Sequence, residues 1–171
     1  MNINAIVYTS NTGYTAEYAK IIGRRTGLAV YSLDDAKKKL PRNSSVIYLG
    51  WLMAGGIKGC KKARIRYKIS AVCAVGMCKT GSEMQNVRKS NAIPENIPVF
   101  TLQGGFDLKR LTGIYKLIMT VMKKTVGKGL ADRKNRTSDE EALLEVLTHG
   151  GSRVCEENLK DFYVWYEKNC I

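Results

Sequence analysis

The chain has 171 residues, 44% of them hydrophobic, with 16 Gly and 3 Pro, which suits one domain with a sizeable core and excludes fibrous and disordered compositions. Lys and Arg number 28 against 15 Asp and Glu, so the formal net charge is +13. That balance favours acidic partners such as nucleic acid, anionic lipid headgroups or an acidic protein, and it carries no information about fold.

The first residues, Met1-Asn2-Ile3-Asn4-Ala5-Ile6-Val7-Tyr8, lack the basic start and cleavage site of a secretory signal. Residues 117–122, the longest later apolar stretch, fall far short of the roughly 20 residues that span a bilayer. A cytoplasmic protein is expected, with peripheral contact to the inner membrane face left open. Short runs rich in Val and Ile at residues 3–8, 46–50 and 69–76 read as buried strands, with further strands at 28–32 and 97–102. Helical spacing marks 15–25, a short 35–40 stopped by Pro41, a basic 58–67, and 82–91. Strand and helix alternate throughout, so the expected class is α/β: an open parallel sheet with helices on both faces.

After the fifth strand the pattern turns helical. Residues 108–126 carry Leu111, Ile114, Tyr115, Ile118, Met122 and Val126 at helical spacing. Ser138 and Glu141 read as a capping box for a helix through Leu147, and 152–169 as a last helix. No linker or repeat divides the chain, so residues 1–171 are expected to form one domain. Cys60, Cys73, Cys78, Cys155 and Cys170 lack CxxC spacing and read as reduced thiols. The single histidine, His149, leaves no Cys/His cluster, and no metal is expected.

The strongest chemical signal is Ser10-Asn11-Thr12-Gly13-Tyr14-Thr15, where the first strand passes into the first helix. Free amides at a helix N-terminus, the helix dipole and clustered hydroxyls make a neutral cradle for a phosphate, with Gly13 permitting the turn. There is no GxGxxG or GxxxxGK[ST] pattern, which disfavours a dinucleotide or a triphosphate. Plain capping of the helix by Ser10, Thr12 and Thr15 explains the same residues equally well. Two further loops follow strands: Trp51-Leu52-Met53-Ala54-Gly55-Gly56, with an aromatic side chain and a flexible glycine pair, and Gln103-Gly104-Gly105-Phe106. Trp51 and Phe106 read either as ring contacts for a ligand or as core residues.

Ser10-x-Thr12-Gly13-x-Thr15 after an apolar strand resembles the phosphate loop of flavodoxin-like proteins. The stretch from Val99 through Gln103-Gly104-Gly105-Phe106-Asp107 into the following helix resembles the branch of menaquinone-dependent protoporphyrinogen oxidases and their flavodoxin-domain relatives. The resemblance covers roughly residues 3–126. It implies a flavodoxin-like, doubly wound five-stranded parallel sheet of order 2-1-3-4-5 and non-covalent FMN as cofactor. Ser10, Asn11, Thr12, Gly13, Tyr14 and Thr15 would hold the phosphate. Trp51, Leu52, Met53, Ala54 and Gly55 would cover the ring, and Gln103, Gly104, Gly105 and Phe106 would close its other side. Chemistry would be borne by the flavin, with no catalytic side chain.

Three function classes follow. The first is an FMN-binding electron-transfer flavoprotein served by a redox partner protein or a quinone. The second is an oxidoreductase, an FMN-dependent dehydrogenase of the protoporphyrinogen oxidase type. The third is a flavin-free binding module using the basic face. Lys61, Lys62, Arg64, Arg66 and Lys68 lack the interleaved aromatics that nucleic-acid binding favours. Lys109, Arg110, Lys116, Lys123 and Lys124 flank an apolar helix that suits either an anionic membrane or a core helix with solvated lysines.

Overall fold

A computed structural model describes residues 1–170. The first half alternates as expected: β1 (Ala5–Thr9), α1 (Tyr14–Thr26), β2 (Ala29–Ser32), α2 (Leu33–Lys39), β3 (Ser45–Met53), β4 (Gly56–Ile57), α3 (Cys60–Arg66), β5 (Lys68–Gly76), α4 (Met84–Ser90) and β6 (Val99–Gln103). The long strands form one parallel sheet in the order β2-β1-β3-β5-β6. The two-residue β4 folds back antiparallel on the end of β3. β1, β3 and β5 are buried on both faces, which explains their near-continuous apolar sequence.

Alternation along each strand divides the core in two. Ile6, Leu49, Cys73 and Leu102 face α1 and the C-terminal helix α7 (Lys160–Cys170). Val7, Tyr48, Val72 and Val99 face α2, α3 and α4. In register Thr9 lies beside Gly50, Trp51 beside Val75 and Gly76 beside Gln103, so the carboxyl ends of four strands finish at one level. The chain turns opposite ways on leaving β1 and β3, and in open α/β sheets such a reversal leaves a crevice above the sheet edge.

Between β6 and α7 lies an added unit. β7 (Gly105–Phe106) pairs antiparallel with β8 (Gly151–Ser152), and the two enclose α5 (Gly113–Ala131) and α6 (Ser138–His149). Phe106, Leu111, Val146 and Leu147 form a third apolar cluster that seats this helix pair over the sheet edge. The capping box of α6 is Thr137 with Glu140, one residue before the expected pair, because Thr137 holds the extended backbone that an N-cap needs. The helix expected at 152–169 begins later: residues 152–155 are spent in β8 and a link, followed by the 3-10 turn Glu156–Leu159. The expected start of α5 moves from 108 to Gly113, since residues 107–110 form a turn closed by Arg110 N–H to the Asp107 carbonyl. Among the described residues no helix is long and apolar enough to cross a membrane.

Candidate functional site

The loop from β1 to α1 sits at the crevice. Gly13 has φ +101°, a left-handed conformation that L side chains rarely adopt, and it is the N-cap residue of α1. Its N–H donates to Ser10 Oγ at 3.2 Å, and no side chain caps the helix. Hydroxyl capping of α1 is therefore not what the loop does, and the first helical amides stay open at the positive end of the helix dipole. Thr15 is buried at the base of this loop.

A second group reaches the loop from far along the chain. Arg110 Nη1 donates to the Thr12 carbonyl oxygen at 3.2 Å, and Arg110 Nε pairs with Asp107 Oδ2 at 3.3 Å. Its guanidinium carbon stands 5.6 Å from the centre of the Tyr14 ring. Burial raises the Tyr14 phenol above its ordinary value, with nearby Arg110 acting in the opposite direction.

Beside the loop opens a largely apolar cavity of about 230 Å³. Asn11, Thr12, Tyr14 and Thr15 form one wall, and Trp51, Leu52, Met53 and Ala54 a second. Val75, Gly76 and Met77 at the end of β5 form its floor, and Gly105, Phe106 and Asp107 its far side. The outer wall belongs to the added unit: Leu111, Tyr115, Ile118, Met119 and Met122. Trp51 meets Tyr115 edge to face, and Lys58 Nζ lies 5.7 Å and 5.8 Å from the two ring centres.

Ala54 (φ +48°) and Gly55 (φ +76°) make the two-residue turn joining β3 to β4, the twist that suits a tight hairpin. Asn91 at the end of α4 pins it: Oδ1 accepts from Ile57 N–H at 2.7 Å and Nδ2 donates to the Gly55 carbonyl at 2.8 Å. Gly55 faces a second cavity of about 330 Å³, which shares Leu52, Ala54, Gly76 and Met77 with the first and extends to Cys78, Glu83 and Asn86. Burial pushes the Cys78 thiol up from its ordinary value.

Of the residues singled out from sequence, ten line the first cavity. Ser10 and Gly13 shape the loop from behind, beside a shallow depression with Ser32 and Asp34. Gln103 and Gly104 do not line it: Gly104 N–H donates to the Gly76 carbonyl at 2.7 Å, and Gln103 Nε2 to the Met77 carbonyl at 3.2 Å. The Gln103 carbonyl accepts from Tyr18 Oη at 2.5 Å, and Asn158 Nδ2 donates to Tyr18 Oη at 2.6 Å. These two residues knit β5, β6 and α1 beneath the site. Sequence reading missed Arg110 and Asn91, which carry no local signal. It also missed Val75, Gly76 and Met77, which the strand end at residue 76 marked as the next loop of a parallel sheet.

Comparison with protein-family models, with curated proteins and with solved structures found no match to the chain.

Proposed function

We propose that the chain is a flavodoxin-like redox protein that binds FMN non-covalently in the crevice above β1, β3 and β5. The observation that carries this reading is an uncapped helix N-terminus opening beside an apolar, aromatic-walled cavity. Counted without the short β4, the strand path is 2-1-3-4-5, the order the resemblance implies.

The donor set suits the group. Ser10, Asn11, Thr12, Gly13, Tyr14 and Thr15 include no carboxylate to repel a phosphate, and Arg110 adds a positive charge at the loop. Trp51, Leu52, Met53 and Ala54 offer an apolar wall to a flat ring, and Phe106 the opposite one. At about 230 Å³ the cavity is smaller than ligand pockets of roughly 300–1,000 Å³, and its outer wall is the adaptable part. Met53, Met119 and Met122 have long unbranched side chains that rotate aside at little cost. FMN, when bound, supplies the electron or hydride exchange. The chain's part is to anchor the phosphate, exclude water with α5, and set the ring's polar surroundings through the backbone of Ala54, Gly55 and Gly56.

A second reading, an FMN-dependent dehydrogenase of the protoporphyrinogen oxidase type with a quinone acceptor, is favoured by one observation. The cavity is roofed by α5 and shares Leu52, Ala54, Gly76 and Met77 with the second cavity, which offers a substrate a place beside the ring. An electron carrier needs only an exposed flavin edge. Turnover of a reduced substrate with a quinone separates the two readings.

The primary test is titration of the purified chain with FMN and with riboflavin, followed by flavin fluorescence. FMN is expected to bind at least about tenfold more tightly, since riboflavin forfeits the charge-assisted hydrogen bonds to the loop. No binding of either flavin overturns the reading and leaves the flavin-free module in its place.

A further inference from the structure

Helix α5 carries an exposed apolar strip that the rest of the fold does not use. Ile114, Leu117, Ile118 and Val121 follow the i, i+3, i+4, i+7 spacing of one helix side and are 66%, 65%, 40% and 52% exposed. Among the described residues, five of the nine exposed large hydrophobics lie on this helix, the fifth being Val126, whereas Ile65, Met84 and Val164 stand singly on others. The adjacent side of α5, with Tyr115, Met119 and Met122, is already engaged by the cavity and the third apolar cluster. The strip is thus additional to what the fold requires.

Charge identifies the occupant. Helix α5 holds Lys116, Lys123, Lys124 and Lys128 and no carboxylate, while Arg110 ahead of it is already paired with Asp107. A second copy laid α5 against α5 would face lysines with lysines across a low-dielectric contact, which opposes association. An apolar strip with Lys124 and Lys128 beside it on the helix surface matches the boundary of an anionic bilayer, where acyl chains take the strip and headgroups take the ammonium groups.

We propose that α5 docks in the plane of an anionic membrane surface, burying Ile114, Leu117, Ile118 and Val121 at the boundary between headgroups and acyl chains. Ile118 lines the cavity as well as the strip, so docking sets the cavity's outer wall against the lipid. This inference does not depend on the FMN reading.

Sedimentation with vesicles tests it. The full chain is mixed with vesicles of phosphatidylcholine alone, or with about one third phosphatidylglycerol, at low and at physiological salt. The expected result is retention on the anionic vesicles, weakening as salt rises, and little retention on the neutral ones. Leu117→Glu with Val121→Glu should abolish retention while thermal melting stays unchanged, because both side chains are exposed. Lys124→Gln and Lys128→Gln should each lower the partition about fivefold, and Lys123→Gln, on the far side of the helix, should lower it less. Should the double glutamate variant fail to fold, Leu117→Trp supplies an independent readout, a blue shift of its emission on anionic vesicles. Three outcomes overturn the proposal: no retention at low salt, retention indifferent to the glutamate pair, or a dimer in solution that the pair dissolves without any vesicle binding.

Discussion

The rings of Trp51 and Tyr115 meet edge to face, their centroids 5.2 Å apart and their planes at 86°. Trp51 ends the parallel stretch of β3, and Tyr115 belongs to the first turns of α5. The contact therefore joins the doubly wound sheet to the unit inserted after β6. It also places the outer wall of the cavity directly over the residue that a bound ring would lie against.

That contact separates two roles. With FMN bound, Trp51 should quench flavin fluorescence, and Trp51→Ala should brighten it and weaken binding. Trp51 is only partly buried, so its removal should cost the apoprotein about 1–2 kcal/mol, less than the 3–5 kcal/mol of a core tryptophan. Tyr115→Ala should leave bound flavin dim and speed its association, because the roof is lowered and the stacking wall kept. Dim flavin in Trp51→Ala together with early melting would assign Trp51 to the core.

Arg110 reaches the loop through the Thr12 carbonyl and stands near any phosphate held there. Arg110→Ala should weaken FMN by about tenfold, the scale of one charge-assisted hydrogen bond at a half-exposed site, and leave riboflavin unchanged. The difference should shrink as salt rises. Equal losses for both flavins would show that Arg110 only shapes the loop.

Tyr18 and Tyr48 set an alkaline limit. Burial pushes the Tyr18 phenol from 10.0 up to about 12, and burial raises Tyr48 as well. Below pH 10 both are neutral in the folded and unfolded chain, so their contribution is fully present. As pH rises from 10 toward 12 the unfolded chain loses these protons first, and stability falls through that window. Tyr18→Phe should lower stability at neutral pH, by the lost bonds to Gln103 and Asn158, and flatten this fall. Urea titrations at a series of pH values measure both effects.

The hairpin tip offers a test of local strain. Gly55→Val forces a β-branched side chain to φ +76° and should destabilise the fold by about 1–2 kcal/mol or more. Asn91→Ala removes both bonds that hold the hairpin to α4 and leaves the Ile57 amide without its partner, about 1–3 kcal/mol. Thermal melting of each variant reads the loss directly. An unchanged Tm in Asn91→Ala would show that the short β4 is held by its pairing with β3 alone.

Much was legible before any coordinate. Val- and Ile-rich runs at residues 3–8, 46–50 and 69–76 mark strands because a strand buried on both faces cannot alternate in polarity. The order of strand and helix then dictates a parallel sheet, since parallel neighbours require crossovers. The loop Ser10-Asn11-Thr12-Gly13-Tyr14-Thr15 was legible for the same reason: its position, composition and glycine are local properties of six consecutive residues.

Only tertiary structure decided which side chains meet. Arg110 lies 98 positions from Thr12, and Tyr115 lies 64 positions from Trp51, beyond four strands and two helices. Helical spacing in 108–126 marks apolar positions without saying that one set closes a cavity while another faces outward, because α5 has two apolar sides and periodicity reports their sum. Gln103 and Gly104 read as part of a ligand loop, yet Gly104 N–H is taken by the Gly76 carbonyl, and the N–H and carbonyl of Gln103 by Thr80 Oγ1 and Tyr18 Oη. Local pattern sets backbone conformation, whereas the partners of each side chain depend on where distant elements come to rest, and that follows from packing the whole core.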